Sequence, residues 1–207
     1  MTSDTTVAAA VEVLPPRSWV SEARAQVGAL DRAISQAVAE TATPDLDRLL
    51  VRFSNAADGG RLWLATAGVV ALVGGRRGRR AAADAVASVA LASAVSNVAV
   101  KTLARRRRPE ADPGRLWPAR QVRRPSSASF PSGHAASAFA FASTMGEELP
   151  LTWGPLHLTA SIVAYARVHT GVHHPSDVVA GALVGAMCGW TVRRVAGRPG
   201  SARVAVA

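Results

Sequence analysis

Five uncharged runs dominate the chain: 62–75, 85–100, 135–145, 151–166 and 178–192. Each is shorter than the roughly 20 residues that carry one clean helix across a bilayer. What constrains the fold is what they share. A water-facing helix of this length carries a polar stripe, whereas these runs are almost wholly Ala, Val, Leu and Gly. The last one also has a Gly181-x-x-x-Gly185 spacing, which lets two helix backbones approach closely. The reading is an all-α, multi-span transmembrane helical bundle of about five spans. A soluble helical bundle is the competing reading, and the missing polar faces speak against it.

The remainder divides around that bundle. Residues 1–17 read as a flexible N-terminus; 7–14 contain Glu12 and lack a basic flank, so no secretory leader is read there. From Ser18, residues Val20, Ala23, Val27, Leu30, Ile34 and Val38 fall at helical spacing. Thr43-Pro44 opens a second helix with Leu46, Leu49, Leu50 and Phe53 on one face. An amphipathic region is therefore expected over 18–58, lying on the membrane surface or against the bundle. The bundle domain spans 59–195, and a basic flexible tail covers 196–207. The net charge of +10 comes from cations that are nearly all arginine. It calls for an anionic partner: nucleic acid, anionic lipid or a phosphorylated substrate. Cys188 is the single cysteine, which excludes an internal disulfide framework and a cysteine-based zinc site.

Counting crossings brings three separated stretches to one face. Run two leads up to Lys101 and run three leads away from His134; run three crosses, run four returns, and His173 arrives on the same side. The stretches 101–109, 132–134 and 167–177 thus converge. They assemble Lys101, Arg108 and Arg167, a helix start at Ser132 and Gly133, the histidines His134 and His173, and Asp177. Arginine offers a planar fork for phosphate oxygens and lysine a point charge. A helix start adds free N–H groups, Gly133 lets the backbone come close to an anion, and Ser132 can cap the helix and donate its hydroxyl. Together they describe a cradle for one phosphoryl group. A nucleophilic histidine needs one ring nitrogen free and the other held by an acceptor; Asp177, four residues after His173, can be that acceptor. His134 on the opposite wall can protonate the leaving oxygen and later activate water. No metal or other cofactor is required, since the cations already carry the charge work.

These residues resemble a known family. Lys101…Arg108-Pro109, Pro131-Ser132-Gly133-His134 and Arg167…His173…Asp177 match K-x6-RP, PSGH and R-x5-H-x3-D. That is the three-part signature of the type 2 phosphatidic acid phosphatase (PAP2) superfamily, and the chain resembles its short actinobacterial membrane lipid phosphatases. The resemblance spans about 60–195. It implies a phosphohistidine on His173, His134 as general acid, and Lys101, Arg108, Ser132, Gly133 and Arg167 as phosphate ligands. The implied substrates are polyprenyl phosphates or diphosphates, a polyprenyl-phosphoryl ribose phosphate, or phosphatidate. The partners expected are this lipid substrate and the bilayer, not nucleic acid. Two departures stand out: Ala166 occupies a usual serine position, and the amphipathic N-terminal region replaces a first span.

Other readings stand beside this one. A haloperoxidase-like enzyme would hold vanadate in the same cradle, and a non-catalytic basic membrane protein would only bind anionic lipid. The resemblance implies a cell-membrane protein with its site facing out of the cytoplasm, whereas counting positive charges puts that face inside. Arg105, Arg106 and Arg107 read as a solvated or lipid-facing charge run, so that Arg106→Ala would be mild. His157, His169 and His174 read as structural.

Overall fold

The computed structural model describes residues 18–100, 106–109, 120–123 and 126–197. Seven α-helices organise these residues: α1 (Trp19–Glu40), α2 (Pro44–Ala56), α3 (Arg61–Val73), α4 (Gly75–Ala94), α5 (Gly133–Glu148), α6 (Trp153–His169) and α7 (Pro175–Val195). A π-helical turn, Val95–Val100, extends α4, and short 3-10 turns at Asp58–Gly60 and Pro150–Thr152 lead into α3 and α6. The bundle expected from the sequence is there, and each of the five apolar runs lies on one of α3 to α7.

The central element is α5. It packs on α4, α6 and α7, and its small residues Ala135, Ala136, Ala138, Ala140 and Ala142 are fully buried. Small side chains let three neighbours close in at once. Gly181 and Gly185 of α7 show how closely: a Cβ on Gly185 would lie 2.2 Å from the Ala136 carbonyl oxygen, and one on Gly181 2.4 Å from that of Ser132. Phe141, Met145 and Trp63 fill the wider space between α3, α4 and α5, with the Trp63 and Phe141 rings 5.3 Å apart.

The outside of the bundle is apolar as well. Val179, Leu183, Met187 and Trp190 form an exposed stripe along α7, with Leu158 and Tyr165 on α6 and Leu64, Val69, Leu72 and Val73 on α3. Among the described residues, α7 is the one helix long and apolar enough to cross a membrane unaided. α2 and residues 58–73 form a further candidate, bent by 57°. The remaining apolar helices are short; the 13 residues of α3 rise only about 20 Å at 1.5 Å per residue.

The amphipathic region packs against the bundle. α2 lies on α6, and α1 contacts both α6 and α7. A buried polar knot fastens it: Asp47 Oδ1 accepts from Arg120 Nε (2.9 Å) and meets His169 Nε2 (2.7 Å), while Arg120 also donates to the Val38 carbonyl (2.7 Å). Buried charges persist only when paired in this way. His169 is therefore an interface residue, as expected. His157, stacked on Trp153 at 4.2 Å, is structural too.

Candidate active site

The site lies where α6 ends and α5 and α7 begin. The α6 chain leaves its helix through Gly171 (φ 65°), and the N–H groups of Val172 and His173 both return to the Arg167 carbonyl, at 3.2 and 3.1 Å. This tight turn aims His173 inward, and its side chain is 3% exposed. The two ring nitrogens see different surroundings. Nδ1 faces Asp177 Oδ2 at 3.6 Å, and Nε2 lies 3.2 Å from Arg108 Nη1. Burial, opposed by the hydrogen-bonding pull of Asp177 and reinforced by Arg108 and Arg167, lowers the His173 pKa to about 4. The imidazole is thus neutral at physiological pH, its Nε2 electron pair accepting from the Arg108 guanidinium.

Four of the expected phosphate ligands gather around it. Arg108 donates to the Val172 carbonyl (2.8 Å) and the Ser127 carbonyl (3.0 Å), which fixes its fork beside His173. Ser132 is the N-cap of α5, its hydroxyl accepting from Ala135 N–H at 3.4 Å. The Ser132 N–H donates to the Asp177 carbonyl at 2.9 Å, which pins the start of α5 to the start of α7. Gly133 is the first residue of α5, so helix N–H groups converge here. Arg167 is 1% exposed. Its Nη1 donates to Ser54 Oγ at 2.5 Å, while Nε and Nη2 have no hydrogen-bond partner among the described residues. Two buried guanidinium donors without partners cost free energy unless an anion completes them. Lys101 falls outside the described residues.

His134 sits in the first turn of α5, and its Nε2 is 2.8 Å from Asp58 Oδ1. Ser54 and Asp58 come from the corner between α2 and α3, a wall the sequence reading did not assign. The only local signal was the Asp58-Gly59-Gly60 turn, where Gly59 and Gly60 have φ of 62° and 75°. Arg106 requires a correction. Instead of lying in a solvated run, it donates to Asp177 Oδ1 (2.8 Å), Ser176 Oγ (2.7 Å) and Asp31 Oδ2 (2.6 Å). Two buried carboxylates draw it in; Arg107 is exposed, as expected. His174 is the N-cap residue of α7, its N–H donating to Asp177 Oδ2 at 2.9 Å. Among the described residues no group of three His, Cys, Asp or Glu side chains is placed to hold a metal.

Chemically, the arrangement offers a neutral imidazole with a carboxylate behind it, two guanidinium groups and a helix start near it, and a second imidazole in the first turn of α5. Known proteins are similar to this chain in sequence or in fold. The decaprenylphosphoryl-5-phosphoribose phosphatase of Mycobacterium tuberculosis is 41% identical over 142 residues, which cover 67% of this chain and 72% of that protein. The crystal structure of Aquifex aeolicus LpxE superposes with a TM-score of 0.64 at 26% identity, over 80% of this chain and 95% of that one. A transmembrane PAP2 type phosphatidylglycerolphosphate phosphatase from Bacillus subtilis does so with a TM-score of 0.63 at 22% identity, over 86% and 90%. Residues 81–200 match the PAP2 superfamily, and with the mycobacterial likeness beside that match, the chain belongs to that superfamily.

Proposed function

We propose that this PAP2-superfamily phosphatase acts at the membrane on a lipid phosphate, through a covalent phosphohistidine on His173. The observation that carries the reading is the surroundings of His173: a buried neutral ring with the Asp177 carboxylate 3.6 Å from Nδ1 and Arg108 3.2 Å from Nε2. Nε2 attacks phosphorus in line with the ester oxygen, forming the P–N bond as the P–O bond breaks. His134 gives the departing alkoxide a proton. Asp177 balances the charge that grows on the His173 ring and keeps the Nδ1 proton in place. Arg108, the unpartnered Nε and Nη2 of Arg167, and the α5 start spread the charge of the equatorial oxygens; Lys101 joins them by its motif position. In the second half His134 takes a proton from water, the hydroxide attacks phosphorus, the P–N bond breaks, and inorganic phosphate leaves a neutral His173.

The exposed apolar stripes on α3, α6 and α7 support membrane association, since soluble monomers rarely expose contiguous apolar surface of this kind. The multi-pass arrangement and an extracytoplasmic site are carried over from the family resemblance. Because the mycobacterial relative is named for a decaprenylphosphoryl phosphoribose, a polyprenyl-phosphoryl ribose phosphate is the first substrate to test.

The test is phosphate release by detergent-purified protein, with EDTA present, from that lipid, a polyprenyl diphosphate and phosphatidate, with His173→Ala alongside. Release that persists in EDTA and vanishes in His173→Ala is expected. Turnover by His173→Ala would remove the nucleophile from the mechanism.

A further inference from the structure

We propose that Asp31 of α1 and Arg106 are positioning residues for the His173–Asp177 pair, so that the N-terminal helix forms part of the catalytic machinery. The proposal rests on reading His173 as the nucleophile. Its basis is how the Asp177 carboxylate is held. Oδ2 faces the His173 ring and accepts the His174 N–H; Oδ1 accepts from Arg106 at 2.8 Å. The same guanidinium reaches Asp31 Oδ2 at 2.6 Å. Asp31 in turn accepts from Ser176 twice, from its N–H at 2.9 Å and its hydroxyl at 2.6 Å. Ser176 N–H is one of the groups that the first turn of a helix leaves without a partner. A carboxylate 145 positions earlier in the chain supplies that cap.

An exposed ion pair would carry little weight. Here the carboxylate side chains of Asp31 and Asp177 are 3% and 0% exposed, and Arg106 is the cation they share. Buried carboxylates tolerate few arrangements. If Arg106 swings away, two buried anions are left close together, and Asp177 loses the contact that keeps its other oxygen turned to His173. Asp31 sets where Arg106 sits, and Arg106 sets where Asp177 points. Neither residue belongs to the three motifs, and Asp31 lies in a region the sequence reading assigned only to the membrane surface or bundle packing.

The experiment is steady-state phosphate release from phosphatidate in mixed detergent micelles by the full-length protein, across pH, for Arg106→Ala, Arg106→Lys, Asp31→Asn and His173→Ala. Arg106→Ala should lower kcat about ten- to a hundredfold, the usual loss when an orienting partner behind a functional histidine goes, with KM within about twofold of wild type. Arg106→Lys should regain most of the loss. The acid limb of kcat/KM should move to higher pH in Arg106→Ala. Arg106 acts on Asp177, so losing it leaves the pull of Asp177 on His173 less countered, while Arg108 and Arg167, the cations acting on the ring itself, are untouched. Adding Asp31→Asn to Arg106→Ala should cost little more, because the two act in series.

Wild-type kcat in both Arg106→Ala and Asp31→Asn, beside an inactive His173→Ala, would overturn the positioning role alone. A loss uniform across pH that lysine does not rescue would reduce Arg106 to packing and overturn it equally. If Arg106→Ala does not fold, Asp31→Asn decides: a fall in kcat at constant KM supports the role, and unchanged kcat refutes it. Turnover by His173→Ala would instead strike at the nucleophile on which the proposal stands.

Discussion

Acidification should weaken the fold, in part through one buried ring whose share a single variant isolates. His173 titrates near its ordinary value of 6.5 in the unfolded chain and at about 4 in the folded one. A basic group with a depressed folded pKa contributes stability above its unfolded pKa and loses it as pH falls towards the folded value. Between pH 6.5 and 4 the unfolded chain binds the extra proton, so stability should fall throughout that interval. That difference, at about 1.4 kcal/mol for each pH unit, amounts to about 3.5 kcal/mol. For a chain of this size that corresponds to a drop in Tm of roughly 7–14 °C. The side chain is 3% exposed, so solvent screening takes little from this figure. The assay is thermal unfolding in detergent at half-unit pH steps from 7 to 4, wild type against His173→Gln. The glutamine variant should unfold with a distinctly flatter pH dependence over that interval. Parallel curves would mean that His173 titrates normally, and the account of its burial and of its unprotonated Nε2 at neutral pH would fail.

Gly185→Ala should press a methyl group to 2.2 Å from the Ala136 carbonyl oxygen, costing about 1–3 kcal/mol; forcing α5 and α7 apart should also cut kcat, as seen by Tm and turnover together. Asp177→Asn should keep substrate binding and lower kcat by on the order of a thousandfold or more through the wrong His173 tautomer, read as a collapse in kcat with KM little changed. Arg167→Ala should lower kcat/KM by about 10²–10³, the scale for one group stabilising transition-state charge, with weaker inhibition by inorganic phosphate. Asp58→Asn should slow turnover about tenfold or more, by releasing the His134 ring it contacts at 2.8 Å; wild-type turnover would show that the wall between α2 and α3 does not serve catalysis.

The bundle and the core of the site were legible because both are written in local patterns. Apolar runs without polar faces specify buried helices, and counting their crossings brings 101–109, 132–134 and 167–177 together; among the described residues, Ser132 N–H on the Asp177 carbonyl and Arg108 beside His173 record this. What stayed hidden depends on long-range pairing. Asp31 looks like any polar residue on an amphipathic helix, and its partners are Ser176 and Arg106, far along the chain. Arg106 stands among four consecutive arginines, and nothing in the run marks which one turns inward. Asp47 and Arg120 likewise gain their roles only through tertiary contact. Periodicity reveals which face a helix buries but not which buried acid meets which base.

The glycine seam between α5 and α7 has a further consequence for how such a site can change over generations. The distance between its two histidine-bearing walls is set by backbone lying on backbone, at Gly181 against Ser132 and Gly185 against Ala136. No side chain there can be lengthened or trimmed to retune the spacing, since nearly every replacement would collide. Descendants that take up a different headgroup must therefore write the difference away from this seam, at positions that hold neither His134 nor Arg167. Divergence of substrate preference within this lineage should spare the facing residues of α5 and α7.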